Sequence, residues 1–465
     1  MGSTPERLTV RKEFGTSNFP KGNLGFGAML NRVFNPLLKL AIRNLRRNRR
    51  RTAITLVATI VGVTVVVGLP GFINGQQDVM VENIVTGRLG AVQVHKTGYV
   101  KNVLTSPLQL DMLDSPELRK KISSVPHVVA VAPRIDFGAM LSMPDKRQPP
   151  EGAEDVAEED QGKTSFLLAT AIEPEAETKV TPRRSALVKV GRMFPHADSP
   201  EVVLNAEFSV GLDAEIHDPS KPFPPVESQV ALLAPDQDGA LNGENVVLGG
   251  TFPSFSPGDR RVGLVPLAVA QRLLRMEGRV TEFGVAIDSL SHLNEVRDEL
   301  KTKLGPDYEV HTWSEIFPFI KSLTGTQDFI FSIISAVFFV VVLLGIVNAM
   351  LMTVLERTRE IGTMLAVGMR RRQIIRLFLT EGFVLGGIGS MMGMTIGLSA
   401  VIYFNHHGIP LPAPGATVDS IVRPYVTGRF VFGVLLGTPL AAALVTLWPA
   451  TRASRLRPVE ALSAV

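Results

Sequence analysis

Apolar positions are spread unevenly along this chain. Four runs are almost free of charge: Ala53–Leu69, Phe329–Leu355, Leu377–Phe404 and Phe430–Trp448. With their mildly polar ends, all four reach the ~20 residues a helix needs to cross ~30 Å of hydrocarbon. The first run stands alone behind the basic string RNLRRNRRR, and the other three crowd the C-terminal third. The chain therefore divides into a tail (1–32), an amphipathic cytoplasmic helix (33–51) and a first membrane helix (52–74). A large external domain (75–325) precedes the second helix (326–355). A cytoplasmic loop (356–376), the third helix (377–404), a short external loop (405–429), the fourth helix (430–448) and a cytoplasmic tail (449–465) complete it. The tail 1–32 shows no clean periodicity and is expected to be flexible. The first run lacks a small-x-small cleavage site after Leu69, so it reads as a retained helix rather than a signal peptide.

The external segment alternates in the manner of strands. Ala91–His95, His127–Ile135, Ser165–Ile172, Val230–Ala234, Asn245–Phe252, Glu282–Ile287 and Tyr308–Trp313 are predicted as β. Pro266–Met276 and Ser291–Leu304 read as helices, the latter with Leu293, Val296, Leu300 and Leu304 on one face. SPELRKKISSV supplies a further helix between the first two strands. Two β-α-β units around a strand-rich centre predict a split α/β domain with a β-rich insertion at about 165–260. Glu151–Asp160 and the Pro-rich Pro222–Pro225 stretch are expected as loops.

Charge orients the plan. Lys39, Arg43, Arg46, Arg47 and Arg49–Arg51 precede the first helix. Arg357, Arg359, Arg370–Arg372 and Arg376 separate the second from the third, and Arg452, Arg455 and Arg457 follow the fourth. Basic residues are retained in the cytoplasm, so both termini are inside and the large domain is outside. Leu37, Leu38, Ala41 and Leu45 share a helical face. A helix lying on the inner leaflet is favoured over a plain extension of the first span.

Chemistry narrows the function by what it lacks. There is no cysteine, and the net charge of +4 is small and local, so neither thiol chemistry nor nucleic-acid binding is expected. Gly162-Lys163-Thr164 ends like a P-loop, but Ala157 stands where its first glycine belongs. His406 and His407 are adjacent and read as interfacial loop residues, so no metal site is expected. No catalytic residue is assigned. Gly382, Gly386, Gly389, Gly393 and Gly397 in the third run, and Gly433 and Gly437 in the fourth, are spaced for close helix packing. Glu381 is expected to reach the interface or pair with a basic residue such as Arg376, and Asn348 to bond between helices.

The loop ERTREIGTMLAVGMRRRQIIRLFLTEG (Glu356–Gly382), the closing WPATRASRLRPVEAL (Trp448–Leu462) and the N-terminal LKLAIRNLRRNRRRTAITLV resemble the MacB/FtsX/LolC-LolE superfamily of ABC transporter permeases. The resemblance spans nearly the whole chain. It implies a MacB-like fold of four membrane helices and a periplasmic α/β domain, in the bacterial inner membrane. It implies mechanotransmission by a subunit that is not itself an enzyme. ATP and Mg would be bound by a dimeric ATPase on a separate chain. Glu356, Arg357, Glu360, Ile361, Gly362, Leu365, Ala366 and Gly368 match the family's ATPase-coupling helix, with Ile361 and Leu365 expected in the docking contact. A second permease copy or paralogue, membrane lipids, and a periplasmic carrier or adaptor are the implied partners. Lipoprotein release is the first expectation for function. MacB-type efflux with an adaptor and outer-membrane duct, or FtsX-like regulation of envelope enzymes, are the alternatives. A lipid-anchored substrate would enter between the first span and the facing copy's second span. Val66, Leu69, Phe331, Ile334 and Phe338 are the expected cavity residues.

Overall fold

The computed structural model describes residues 49–455 apart from 106, 144–163, 213–214, 257 and 413–415, together with residues 38, 40, 41, 43, 44 and 47. The tail 1–32, the acidic stretch Glu151–Asp160, Leu37 and Leu45 lie outside them.

Among the described residues, four helices are long and apolar enough to cross a membrane. The first runs over Arg49–Ile84 and continues through Pro70 without a break. The second covers Pro318–Glu356, starting well before the expected 326, and the third Arg371–His407. The fourth, Gly428–Val445, is followed by a short helix, Leu447–Ser454. At about 1.5 Å per residue, the second and third are far longer than ~30 Å of hydrocarbon requires. His406 and His407 are the last turn of the third helix rather than loop residues.

The chain forms two compact units. One comprises 1–66, 337–397 and 428–465, the other 67–336 and 398–427. In the first unit the third helix is the hub. A Cβ placed on Gly389 would lie 2.4 Å from Thr59 Cγ2, and one on Gly393 2.7 Å from the Ile60 carbonyl oxygen. On Gly382 it would lie 2.5 Å from Thr446 Cγ2, and on Gly386 2.5 Å from Ala442 Cβ. A single glycine stripe thus serves the fourth helix in one half and the first helix in the other. Gly397 continues it and is buried. Gly433 and Gly437 differ from expectation: a Cβ there meets nothing within 4 Å. The buried seam of the fourth helix is Thr438 and Ala442, continued by Thr446 just past its end, one residue out of phase with the glycine pair.

The second unit is built on a mixed sheet. The unit's strands include β1 (Val92–Lys96), β2 (Met112–Leu113), β3 (Val128–Ser142), β4 (Thr164–Ile172), β5 (Val190–Gly191) and β6 (Glu201–Asn205). β7 (Val230–Pro235), β8 (Leu241–Phe252), β9 (Val262–Pro266), β10 (Arg279–Val280), β11 (Glu282–Ile287) and β12 (Tyr308–Thr312) follow, and β2 pairs with β10 outside this sheet. The order β12-β1-β11-β3, antiparallel throughout, is the split β-α-β arrangement. Its two crossover helices are Pro116–Ser123, capped by the Ser115 hydroxyl, and Leu293–Leu304, which buries Val296, Leu300 and Leu304. β3 is 15 residues long. Its far half pairs with β4 and β7, so the β-rich insertion continues the same sheet rather than forming a separate one. β6 and β9, every residue buried, were not distinguishable by alternation.

Candidate functional site

The loop between the second and third helices folds into its own short helix, Thr358–Ala366. Arg357 breaks the second helix just before it. Gly368, at φ +98°, ends it in a conformation that few side chains adopt, and the Met369 N–H donates to the Met364 carbonyl at 2.9 Å. The third helix then starts at Arg371, with the Gln373 side chain accepting from the Arg370 N–H at 2.8 Å.

This helix has two distinct faces. Ile361 and Gly362 point inward, where Ile361 packs in one cluster with Ile374, Phe378, Ala450 and Ala453. Leu365 is half-buried against the same cluster. Ile361 therefore anchors the helix to the membrane unit and is not available as the expected docking contact. The outward face carries Arg359, Thr363, Ala366, Val367 and Gly368, all exposed. Val367 is 89% exposed, a large apolar side chain that none of the described residues covers. Its position just past a helix end gave no periodic signal to mark it.

The acidic residues of the loop are all engaged. Arg51 donates to both oxygens of Glu356, at 2.7 Å for the longer bond, and Arg47 pairs with Glu360. Arg47 and Arg51 are four residues apart, as are Glu356 and Glu360 on either side of the break at Arg357, so the two pairs form a ladder. It ties the loop to Arg51 in the first turn of the first helix and to Arg47 just ahead of it. Both rungs are partly exposed, where such pairs contribute about 0–1 kcal/mol each. Burial works to raise the Glu360 carboxyl, but hydrogen bonds from Arg357 and Arg47 outweigh it and hold it below the usual range.

Beneath the ladder lies a buried centre. Arg357 reaches Glu360 at 2.9 Å, Glu381 at 3.3 Å and the Asn44 side-chain amide oxygen Oδ1 at 2.7 Å. Asn44 donates in turn to Glu381, whose side chain is 2% exposed. The partner of Glu381 is thus Arg357, not Arg376. Arg376 sits five residues away on the same helix, more than a turn and off that face. A cavity of about 300 Å³ opens here, lined by Asn44, Arg47, Arg51, Glu356, Arg357 and Glu381 with Thr55 and Met350. Asn348 is exposed on the second helix rather than placed between helices.

The expected substrate-cavity residues scatter. Phe338 lines an open, almost wholly apolar groove of about 540 Å³ with Ala53, Val57, Val61, Gly62 and Val342. Val66 is buried within its unit, and Leu69, Phe331 and Ile334 are half-buried away from that groove.

In the second unit, the C-terminal end of the first helix is held by two buried arginines. It finishes in a π-helical turn, Val85–Leu89. Arg184 donates to the Gly87 and Arg88 carbonyls at 2.8 and 3.0 Å, and Arg134 to the Leu89 carbonyl at 2.7 Å. These are the carbonyls a helix leaves unpaired, and the guanidinium charge suits that end of the dipole. Arg134 is fixed by a two-bond fork on Glu177, both at 2.8 Å, and by Glu282 at 2.8 Å. Met80, Ile84 and Leu89 pack with Ile320 at the start of the second helix, and Arg88 lies 4.9 Å over the Phe317 ring.

Comparisons with known proteins cover both units. A family described as "MacB-like periplasmic core domain" matches residues 52–303, and one described as "FtsX-like permease C-terminal" matches 332–458. The "Macrolide export ATP-binding/permease protein MacB" of Rhodospirillum rubrum is 27% identical over 455 residues, 93% of this chain and 60% of that protein. Its counterpart from Hyphomonas neptunium is 25% identical over 455 residues, with 92% and 60% covered. The chain thus spans less than two thirds of these relatives' length. The periplasmic region of MacB from Actinobacillus actinomycetemcomitans aligns with 52% of this chain and 97% of its own, at 13% identity and a TM-score of 0.31.

Proposed function

The chain belongs to the family with a MacB-like periplasmic core domain and an FtsX-like permease C-terminal domain, and we propose that it is the mechanotransmitting permease subunit of an ATP-driven ABC transporter. The observation that carries this reading is the two-faced helix Thr358–Ala366. One face is anchored on the membrane unit through Ile361, and the other presents Val367 and Arg359 outward. An ABC ATPase dimer, with its own ATP and Mg, would dock on that outward face. Glu356, Arg357 and Glu360 would pass its motion to the first helix, which leads to the Arg134–Arg184 clamp. The subunit would sit in the inner membrane beside a second copy or a paralogue. Its termini would be cytoplasmic and its core domain periplasmic, as the arginine distribution favours.

The substrate we favour is a lipid-linked one, with release of lipoproteins toward a periplasmic carrier as the first case. The laterally open apolar groove at Phe338 supports an acyl chain as its occupant. A second reading is export of small molecules through an adaptor and duct, favoured by relatives named as macrolide exporters.

The docking reading is tested by Val367→Asp. The variant should fold and insert as the parent does and lose co-purification with its ATPase. Undiminished assembly and ATP turnover would remove this face from the interface. The substrate is tested by depletion. Mature lipoproteins retained in the inner membrane support the first reading, and unchanged sorting with raised macrolide sensitivity supports the second.

A further inference from the structure

His127, Asp288 and His292 meet at one end of the split β-α-β lobe. His127 sits in the turn between the helix Pro116–Ser123 and β3, at φ +67°, a conformation uncommon for a residue with a side chain. Asp288 directly follows β11, and His292 closes the 3-10 turn Leu290–His292. The two turns are joined where the Asp288 N–H donates to the His127 carbonyl at 3.0 Å. The imidazoles stack with centroids 3.7 Å apart. His127 Nδ1 lies 2.8 Å from one Asp288 oxygen, and His292 Nδ1 2.9 Å from the other. The potential ligand atoms all lie within 4.8 Å of one another.

We propose that His127, Asp288 and His292 form a binding site for a divalent first-row transition ion, with zinc as the reference ion. Two imidazole nitrogens and one carboxylate oxygen are a donor set suited to zinc, copper or nickel, and poorly suited to calcium or magnesium. A tetrahedral ion with bonds of about 2.0–2.1 Å keeps its ligand atoms about 3.3 Å apart. The two observed nitrogen–oxygen contacts, 2.8 and 2.9 Å, are a few tenths of an ångström shorter than that, so an ion fits with small side-chain rotations once the rings carry their protons on Nε2. The three side chains are 33%, 46% and 34% exposed. The ion would keep open positions facing solvent, for water or for a carboxylate or imidazole of another protein.

The test uses the full-length chain without an affinity tag, in detergent and stripped by chelation, titrated with Zn²⁺ by calorimetry and with Co²⁺ by visible absorption. One ion per chain is expected, with tetrahedral cobalt bands and a raised unfolding temperature in the presence of Zn²⁺. His292→Ala and Asp288→Asn should each weaken binding by more than about tenfold, since even outer partners of metal ligands cost about 10–100-fold. His127→Gly removes a ligand while accepting the positive φ, so it should lose binding with its metal-free stability intact. A His406→Ala/His407→Ala variant should bind as the parent does. Absence of stoichiometric binding would overturn the proposal. So would binding that survives in His127→Gly/His292→Ala, or that disappears in His406→Ala/His407→Ala.

Discussion

The two ends of the first helix are held by arginine–carboxylate clusters of opposite character. Toward its C-terminal end, Arg134, Arg184, Glu177 and Glu282 are all at least 97% buried at the side chain. Arg134 spends every bond on fixed partners, and three helix carbonyls are held directly. At the other end, Arg47, Arg51, Glu356 and Glu360 are partly exposed, the first three lining a cavity, and Glu381 is buried beneath them. The buried cluster fixes one geometry. The partly exposed one can exchange partners with water at little cost. The same chemistry thus serves a rigid joint in one place and a yielding one in the other, which suits a lever that is pushed at its loose end.

The largest expected effect is at the rigid joint. Arg134→Met leaves Glu177 and Glu282 buried without their main partner, a loss of about 3–5 kcal/mol. Denaturant unfolding or limited proteolysis of the full chain should show the large domain destabilised by that order. Parent-like stability would show that the joint is not held by charge. Next is the helix seam. Gly389→Leu forces a side chain into Thr59, and overpacking of this kind costs about 1–3 kcal/mol. Thermal stability in detergent should fall, whereas Gly433→Leu, with nothing within 4 Å, should leave it unchanged.

A smaller, pH-dependent effect distinguishes the joints further. Burial pushes the Glu282 carboxyl up to about 8, Asp136 adding to this and Arg134 opposing it. Burial also holds the nearby His95 imidazole down at about 3. Unfolded values are about 4.3 and 6.5. Glu282 therefore contributes stability that is present at low pH and lost as pH rises toward 8. His95 contributes stability that is present above about 6.5 and lost on acidification. Between pH 6.5 and 8 the Glu282 contribution changes alone of the two, so the unfolding midpoint should fall across that window. Glu282→Gln should flatten the fall, and an unaltered slope would contradict the assignment. The smallest effect is at the yielding joint. Arg47→Ala should change stability by no more than about 1 kcal/mol, and 0.5 M salt should erase the difference.

These contrasts mark what the chain discloses by inspection. The four apolar runs and their arginine flanks are local patterns, and the structure has four matching helices. The strands that alternate, such as Glu282–Ile287, were legible for the same reason. The polar centres were not. Glu381 is bound by Asn44, 337 positions away, and by Arg357 across a turn, whereas sequence proximity pointed to Arg376. Ile361 and Val367 are both apolar residues in one loop, and only packing against Ile374 and Ala450 reveals which faces inward. The His127–Asp288–His292 cluster joins two turns that become neighbours only when β11 pairs with β3.

The proposed lever is tested most directly by amide hydrogen exchange over Val85–Leu89, in the full chain assembled with the proposed ABC ATPase, with and without a non-hydrolysable ATP analogue. The parent should show a nucleotide-dependent change in this turn. Glu381→Leu should lose that change while keeping ATPase binding, because Arg357 retains Glu360 and Asn44 as partners. A nucleotide response at Val85–Leu89 of parental size in Glu381→Leu would contradict transmission through the Arg357–Glu381 centre.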